Sequence, residues 1–134
     1  MPMTEKNHRD LWQAATEARS RAYAPYSRIR VGASLLTARG AVYTGANVEN
    51  ASYGLSLCAE RAALAQAVAA EGPELRVQAL AVVSDQPGPF APCGACRQML
   101  FEFGPQALVL FQGDAGPTEV PLSELFPHAF QLPR

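Results

Sequence analysis

The sequence predicts an α/β fold in which a mixed β-sheet is covered by helices on both faces. Three observations predict it. The apolar runs VQALAVVS (77–84) and ALVLF (107–111) read as strands buried on both sides, as strands between two helical layers must be. Helical stretches alternate with these runs, at 58–72 before the first and at 94–104 between the two. Two further strand patterns, 31–37 and 41–48, are separated only by ARG, which makes a hairpin rather than a crossover. The chain of 134 residues is 49% hydrophobic, which suits one domain spanning 1–134 with a sizeable core.

Each element has its local reason. In 5–23, Leu11, Ala14, Ala15, Ala18 and Ala22 recur at helical spacing, and Pro25 stops the pattern. CAERAALAQAVAAEG (58–72) is alanine-rich, a strong helix former, and ends at Gly72. DQPGPFAP (85–92) holds three prolines and reads as loop. GACRQMLFEFG (94–104) is a helix stopped by Gly104 with Pro105 just beyond. QGDAG turns, PTEVPL (117–122) reads as an edge strand, and SELFP as a helical turn with Ser123 as its candidate N-cap.

Composition excludes several functions. The formal net charge is −1 and no face gathers Lys and Arg, so no nucleic-acid partner is expected. The start, MPMTEKNHRD, is polar and charged and does not read as a secretory signal. AALAQAVAA is too short to span a bilayer, so no membrane partner is expected and the expected location is cytoplasmic. Three cysteines, an odd number, do not make a disulfide framework.

Those cysteines fall at helix starts: Cys58 opens one helix, and Cys93 and Cys96 straddle the start of the next. Helices that follow parallel strands begin at the same edge of a sheet, where ligands bind. A Cys-x-x-Cys alone is equally a redox pair or two buried thiols. A third cysteine converging on the same point, with helix N-termini favouring thiolates, suits Zn(II). His8 and His128 lie near the chain ends, outside the predicted strand–helix core, so the fourth position is left to water, as in a catalytic zinc site. Glu60, two residues after Cys58, can reach that water without ligating the metal and carry its proton. Three thiolates overbalance Zn(II) by one negative charge, and Arg61, one helical turn after Cys58, is placed to withdraw charge from sulfur.

CAE (58–60) followed by PCGAC (92–96), together with YAPYS, VGASLL, NVENASYG and PCGACRQ in order, resembles the small zinc-dependent cytidine deaminases over nearly the whole chain. The resemblance implies a three-layer α/β/α sandwich around a mixed five-stranded sheet, one Zn2+ per subunit and a homotetramer with sites shared between subunits. It implies hydrolytic deamination of the nucleosides cytidine and 2′-deoxycytidine in pyrimidine salvage, with water attacking C4 and Glu60 as the proton carrier. By the same resemblance Asn47 and Glu49 bind the ribose 3′-hydroxyl, and the Ala59 backbone holds the ring. Tyr53 reaches a neighbour's site and Phe130 stacks on a base bound in another subunit. Ile29 stands where the family often has an aromatic residue, and it offers apolar contact without stacking. Tyr26 is as much a packing residue as a site residue. The alternatives are a deaminase of another aminopyrimidine nucleoside, a structural zinc module, and a thiol redox protein using Cys93 and Cys96.

Overall fold

The computed structural model describes residues 3–134, so the first two residues of the polar start lie outside the described residues. Helix α1 spans Glu5–Arg19. Thr4 caps it reciprocally: its hydroxyl accepts from the Asn7 amide at 3.1 Å, and Asn7 Oδ1 accepts from the Thr4 amide at 3.0 Å. The helix ends four residues before the sequence pattern does. Residues beyond Ser20 are drawn into a bridge to the strand region, where Tyr23 N donates to the Asn47 carbonyl and Glu49 N donates to the Tyr23 carbonyl.

Strands β1 (Val31–Thr37) and β2 (Val42–Ala46) form the expected hairpin. They are followed by α2 (Ala59–Glu71), β3 (Val77–Ser84), α3 (Gly94–Phe103), β4 (Leu108–Gly113), β5 (Gly116–Pro121) and the short α4 (Leu122–Leu125). Ser123 lies inside α4, whose N-cap is Pro121; the Leu122 amide is already engaged by the Ala107 carbonyl, which starts the turn earlier than the serine suggested.

The five strands form one mixed sheet in the order β2-β1-β3-β4-β5. β1 is antiparallel to both β2 and β3, while β3 and β4 are parallel. β2, β3 and β4 therefore run the same way, and the helices that follow β2 and β3 both begin at the same edge of the sheet. Alternation along the strands divides the core. Leu35, Leu80, Val82 and Val109 face α2 and α3 with Ala63, Leu64 and Leu100. Ala79, Ala81, Val83 and Leu110 face α1 with Leu11 and Ala15. This is the α/β/α layering.

Two glycines let the layers approach. A Cβ on Gly45 of β2 would stand 2.5 Å from the Ala63 amide of α2, and one on Gly32 of β1 would collide with the Ala15 carbonyl of α1. The first contact seats the start of α2, and so Cys58, against the sheet. No helix among the described residues is long and apolar enough to cross a membrane.

Candidate active site

Cys58 is the N-cap of α2 and Cys93 the N-cap of α3, with Cys96 in the first turn of α3. The shared direction of β2 and β3 brings these helix starts together. The three Sγ atoms all lie within 4.8 Å of one another, and Cys93 and Cys96 Sγ are 3.4 Å apart. Thiolates held by one zinc at about 2.3 Å each stand roughly 3.8 Å apart, so this cluster fits one ion after small adjustment. It is the group of this kind among the described residues, and neither histidine joins it. His8 sits on α1, across the sheet, facing Glu119 of β5 at 3.4 Å.

Electrostatics at the cluster follow from burial and proximity. The Cys96 thiol donates toward Cys58, and with the Arg61 guanidinium this lowers the Cys58 pKa to about 5. Cys96, bound as that donor, buried and close to Glu60, is pushed far up. Arg61 Nη2 lies 3.4 Å from Cys58 Sγ, and that contact raises the Arg61 pKa.

Glu60, on the first turn of α2, is 4% exposed. Burial and then the negative charge of Cys58 raise its pKa to about 7. A carboxyl balanced between its two forms near neutral pH is suited to taking a proton and returning it.

Cys58 and Cys93 border a cleft of about 580 Å³ whose walls include Glu60, Ala59, Asn47, Glu49 and Tyr53. These predicted residues are therefore brought together. Asn47 is turned to the protein: its Oδ1 accepts from Val31 N at 2.8 Å and its Nδ2 donates to the Ile29 carbonyl at 2.8 Å. Those two bonds end β2 at Ala46 by pinning the next residue to the chain leading into β1. Glu49 accepts from the amides of Tyr26 and Ser27 and from the Ser27 hydroxyl, and the last of these leads in lowering its pKa. Tyr53 packs edge-on to Tyr26, with ring centroids 6.1 Å apart.

Ile29, Tyr26, Cys96 and Phe130 are not on the cleft wall of their own chain. Ile29 packs against the main core, and Phe130 is exposed on the C-terminal tail, where its carbonyl accepts from Gln98 Nε2 at 2.9 Å. Conversely, the cleft wall includes Val31, Leu57, Phe90 and Ala91, which sequence reasoning did not select. For Phe90 and Ala91 the usable signal was their place just ahead of Cys93, since a loop that delivers a ligand also borders its site. That loop is tied down by Arg97, whose Nε donates to the Pro92 carbonyl at 2.8 Å and whose Nη1 donates to the Leu125 carbonyl at 2.7 Å.

Residues 5–112 match the family model of the cytidine and deoxycytidylate deaminase zinc-binding region. The chain is 50% identical over 124 residues to a cytidine deaminase of Halalkalibacterium halodurans, covering 90% of this chain and 91% of that one. It is similar to the crystal structure of cytidine deaminase from Burkholderia pseudomallei, with a TM-score of 0.84 and 47% identity over 96% of this chain and all of that one. It is also similar to that from Mycobacterium tuberculosis, with a TM-score of 0.81 and 43% identity over 94% and 98% of the two chains.

Proposed function

The chain belongs to the cytidine and deoxycytidylate deaminase family, and from that membership we propose that it hydrolyses the 4-amino group of cytidine and 2′-deoxycytidine. The products are uridine or 2′-deoxyuridine and ammonia, a reaction of pyrimidine salvage. The observation that carries this reading is the three-sulfur cluster beside buried Glu60, bordering a cleft of about 580 Å³.

Cys58, Cys93 and Cys96 would hold one zinc ion per chain. When bound there, the metal makes water acidic enough to be a nucleophile near neutral pH. The rest is the work of this chain. Glu60 accepts a proton from the attacking water and delivers it to ring N3 as the bond to C4 forms; it then takes the proton of the new C4 hydroxyl and passes it to the amino group, so that C4–N breaks, ammonia leaves and C4 becomes a carbonyl. Its burial, which favours the protonated form, suits it to holding and returning that proton. Arg61 draws charge from the Cys58 sulfur, countering the excess of three thiolates over two positive charges. The Ala59 backbone borders the ring. Glu49 meets the ribose hydroxyls, while Asn47, with one N–H still free to donate, fixes the strand beneath them.

A structural zinc module is the weaker reading, because the cluster opens on a cleft and carries a buried proton carrier that a structural site does not need. We further infer that the domain is the whole unit 1–134 and that it works as a homotetramer. The exposed aromatic residues Tyr53 and Phe130 support that inference, since a second subunit would cover them.

The test is ammonia release from a panel. Cytidine and 2′-deoxycytidine are expected to react. Free cytosine, which offers no hydroxyl to Glu49, and cytidine monophosphate, whose phosphate meets that carboxylate, are expected to react at least tenfold less efficiently. Turnover confined to a different 4-aminopyrimidine would replace the substrate. No turnover by zinc-loaded protein would sink the reading.

A further inference from the structure

The loop 85–92 presents an unusual problem of hydrogen bonding. Pro87, Pro89 and Pro92 contribute no N–H, so the loop is rich in carbonyls and poor in donors of its own. Gly88 takes φ +92°, a turn that side chains resist. Yet this loop ends in Phe90 and Ala91, which line the cleft, and runs directly into Cys93. Something must hold it.

Gln112, near the end of β4, meets the loop along its length. Its Oε1 accepts from the Ser84 amide at 2.8 Å. Its Nε2 faces the Gln86 carbonyl at 3.3 Å and the Gly88 carbonyl at 3.4 Å, the residues just before Pro87 and Pro89. Its main-chain carbonyl accepts from the Phe90 amide at 2.8 Å. A primary amide suits this place by its chemistry. It has one acceptor and two donors, and the loop offers one amide and two carbonyls. Ser84 and Arg19 brace the entry, with the Ser84 hydroxyl accepting from Gln86 N and Arg19 Nη1 donating to the Ser84 carbonyl.

What the clamp positions is an aromatic wall. Ile29 faces the core, and Tyr53, the other aromatic on the cleft wall, is largely exposed. Phe90 is half-buried and packed on the core while bordering the same cleft as Glu60 and Cys93. We propose that Gln112 is a positioning residue that fixes the 84–90 segment so that Phe90 forms the apolar wall against which the pyrimidine ring is held. The proposal rests on the nucleoside reading above. It predicts an effect on binding rather than on proton transfer, because Gln112 touches neither the sulfurs nor Glu60.

The experiment compares zinc-loaded wild type with Gln112→Met, Gln112→Glu, Phe90→Leu and the double variant Phe90→Leu/Gln112→Met. Methionine keeps the length and loses all three side-chain bonds; glutamate keeps the acceptor and loses both donors. Gln112→Met is expected to raise KM for cytidine about tenfold with kcat within twofold and zinc content unchanged, the pattern of lost binding. Gln112→Glu should move KM in the same direction by at least as much, because its second carboxylate oxygen would face the Gln86 and Gly88 carbonyls with no proton to give. Phe90→Leu should reproduce the KM effect, and the double variant should be no worse than the poorer single one, because both changes spoil the same wall. Hydrogen exchange at the Ser84 amide should quicken at least tenfold in Gln112→Met. An unchanged KM, effects of the two sites that simply multiply, or loss of kcat and zinc together would overturn the proposal. If wild type turns over no cytidine, the nucleoside reading fails and the wall proposal with it, whereas the clamp itself is still decided by Ser84 exchange.

Discussion

Around the sulfur cluster Cys96 is 1% and Glu60 4% exposed, whereas Tyr53, on the wall of the adjoining cleft, is 76% exposed and Phe130, on the tail, is 65% exposed. The first region is built on two helix N-termini locked to a sheet, with Gly45 letting α2 sit close. The second is built on loops, short bridges and a tail. The difference follows what each region must do. Shifting a carboxyl to near neutrality and holding three sulfurs together need low dielectric and fixed geometry, which only packed elements provide. Recognising ribose and covering a base need surfaces that open and close. The three sulfurs and Glu60 thus come together within one chain, while the loops and tail carry the exposed rings of Tyr53 and Phe130.

The sharpest way to break this comparison is to attack the sulfur cluster. Cys96 is the most buried of the three sulfurs, so Cys96→Ala is expected to abolish zinc retention and activity together, while leaving the fold recognisable by circular dichroism. Zinc content by metal analysis decides it, and a full complement in the variant would remove Cys96 from the ligand set. Next in size is Glu60→Gln, which keeps the shape of the side chain and removes its exchangeable proton. Turnover should fall by roughly 10²–10⁴ or more with zinc retained. Joint loss of zinc and activity would instead make Glu60 part of the metal site.

The sulfur cluster was also the legible region. Cys58, Glu60, Cys93 and Cys96 are chemistry at fixed spacing on helix starts, and alternation of apolar runs and helices gave the direction that brings those starts together. Less was legible where contacts are long-range. Asn47 reads as a turn residue or a ribose ligand, yet its amide is spent on the backbone of Ile29 and Val31, 16 to 18 residues earlier. Gln112 reads as the first residue of a turn, and its meaning depends on a proline-rich loop 24 to 28 residues before it. The end of α1 was misplaced because Tyr23 leaves the helix for a bridge to β2's extension, a tertiary bond that overrides helical periodicity. Ser123 is a good cap by type but lies inside a turn already begun at Leu122.

A third prediction concerns the exposed rings. If Phe130 covers a neighbour's base, Phe130→Ala should raise KM for cytidine several-fold without emptying the zinc site. Mixing it with Glu60→Gln under conditions that exchange subunits should restore activity, because some sites would then pair an intact Glu60 with an intact Phe130. Light scattering on the wild type should give the mass of four chains. Full affinity in Phe130→Ala would end the shared-site proposal whatever the oligomeric state. Impairment that mixing never restores, despite proven exchange, would return Phe130 to its own subunit.

The smallest effect is expected at Glu49, and its sign distinguishes the two regions. Glu60 is buried and its pKa is raised; Glu49 is half-buried and its pKa is lowered from 4.5, first by the Ser27 hydroxyl. A carboxylate lowered in the folded state favours the fold wherever it is ionised. Its contribution is therefore complete above pH 4.5 and fades as pH falls through the lower folded value. What it holds is local: the amides of Tyr26 and Ser27, and through Tyr26 the edge-on ring of Tyr53. Exchange at the Tyr26 and Ser27 amides should accordingly accelerate, relative to the intrinsic rate at each pH, as the solution is taken below pH 4.5. In Glu49→Gln that acceleration should already be present at neutral pH and should not change on acidification. The reverse result, loop protection that survives in Glu49→Gln and is indifferent to acid in the wild type, would show that packing of Tyr26 against Tyr53 holds the loop and that Glu49 is free to serve the ribose alone.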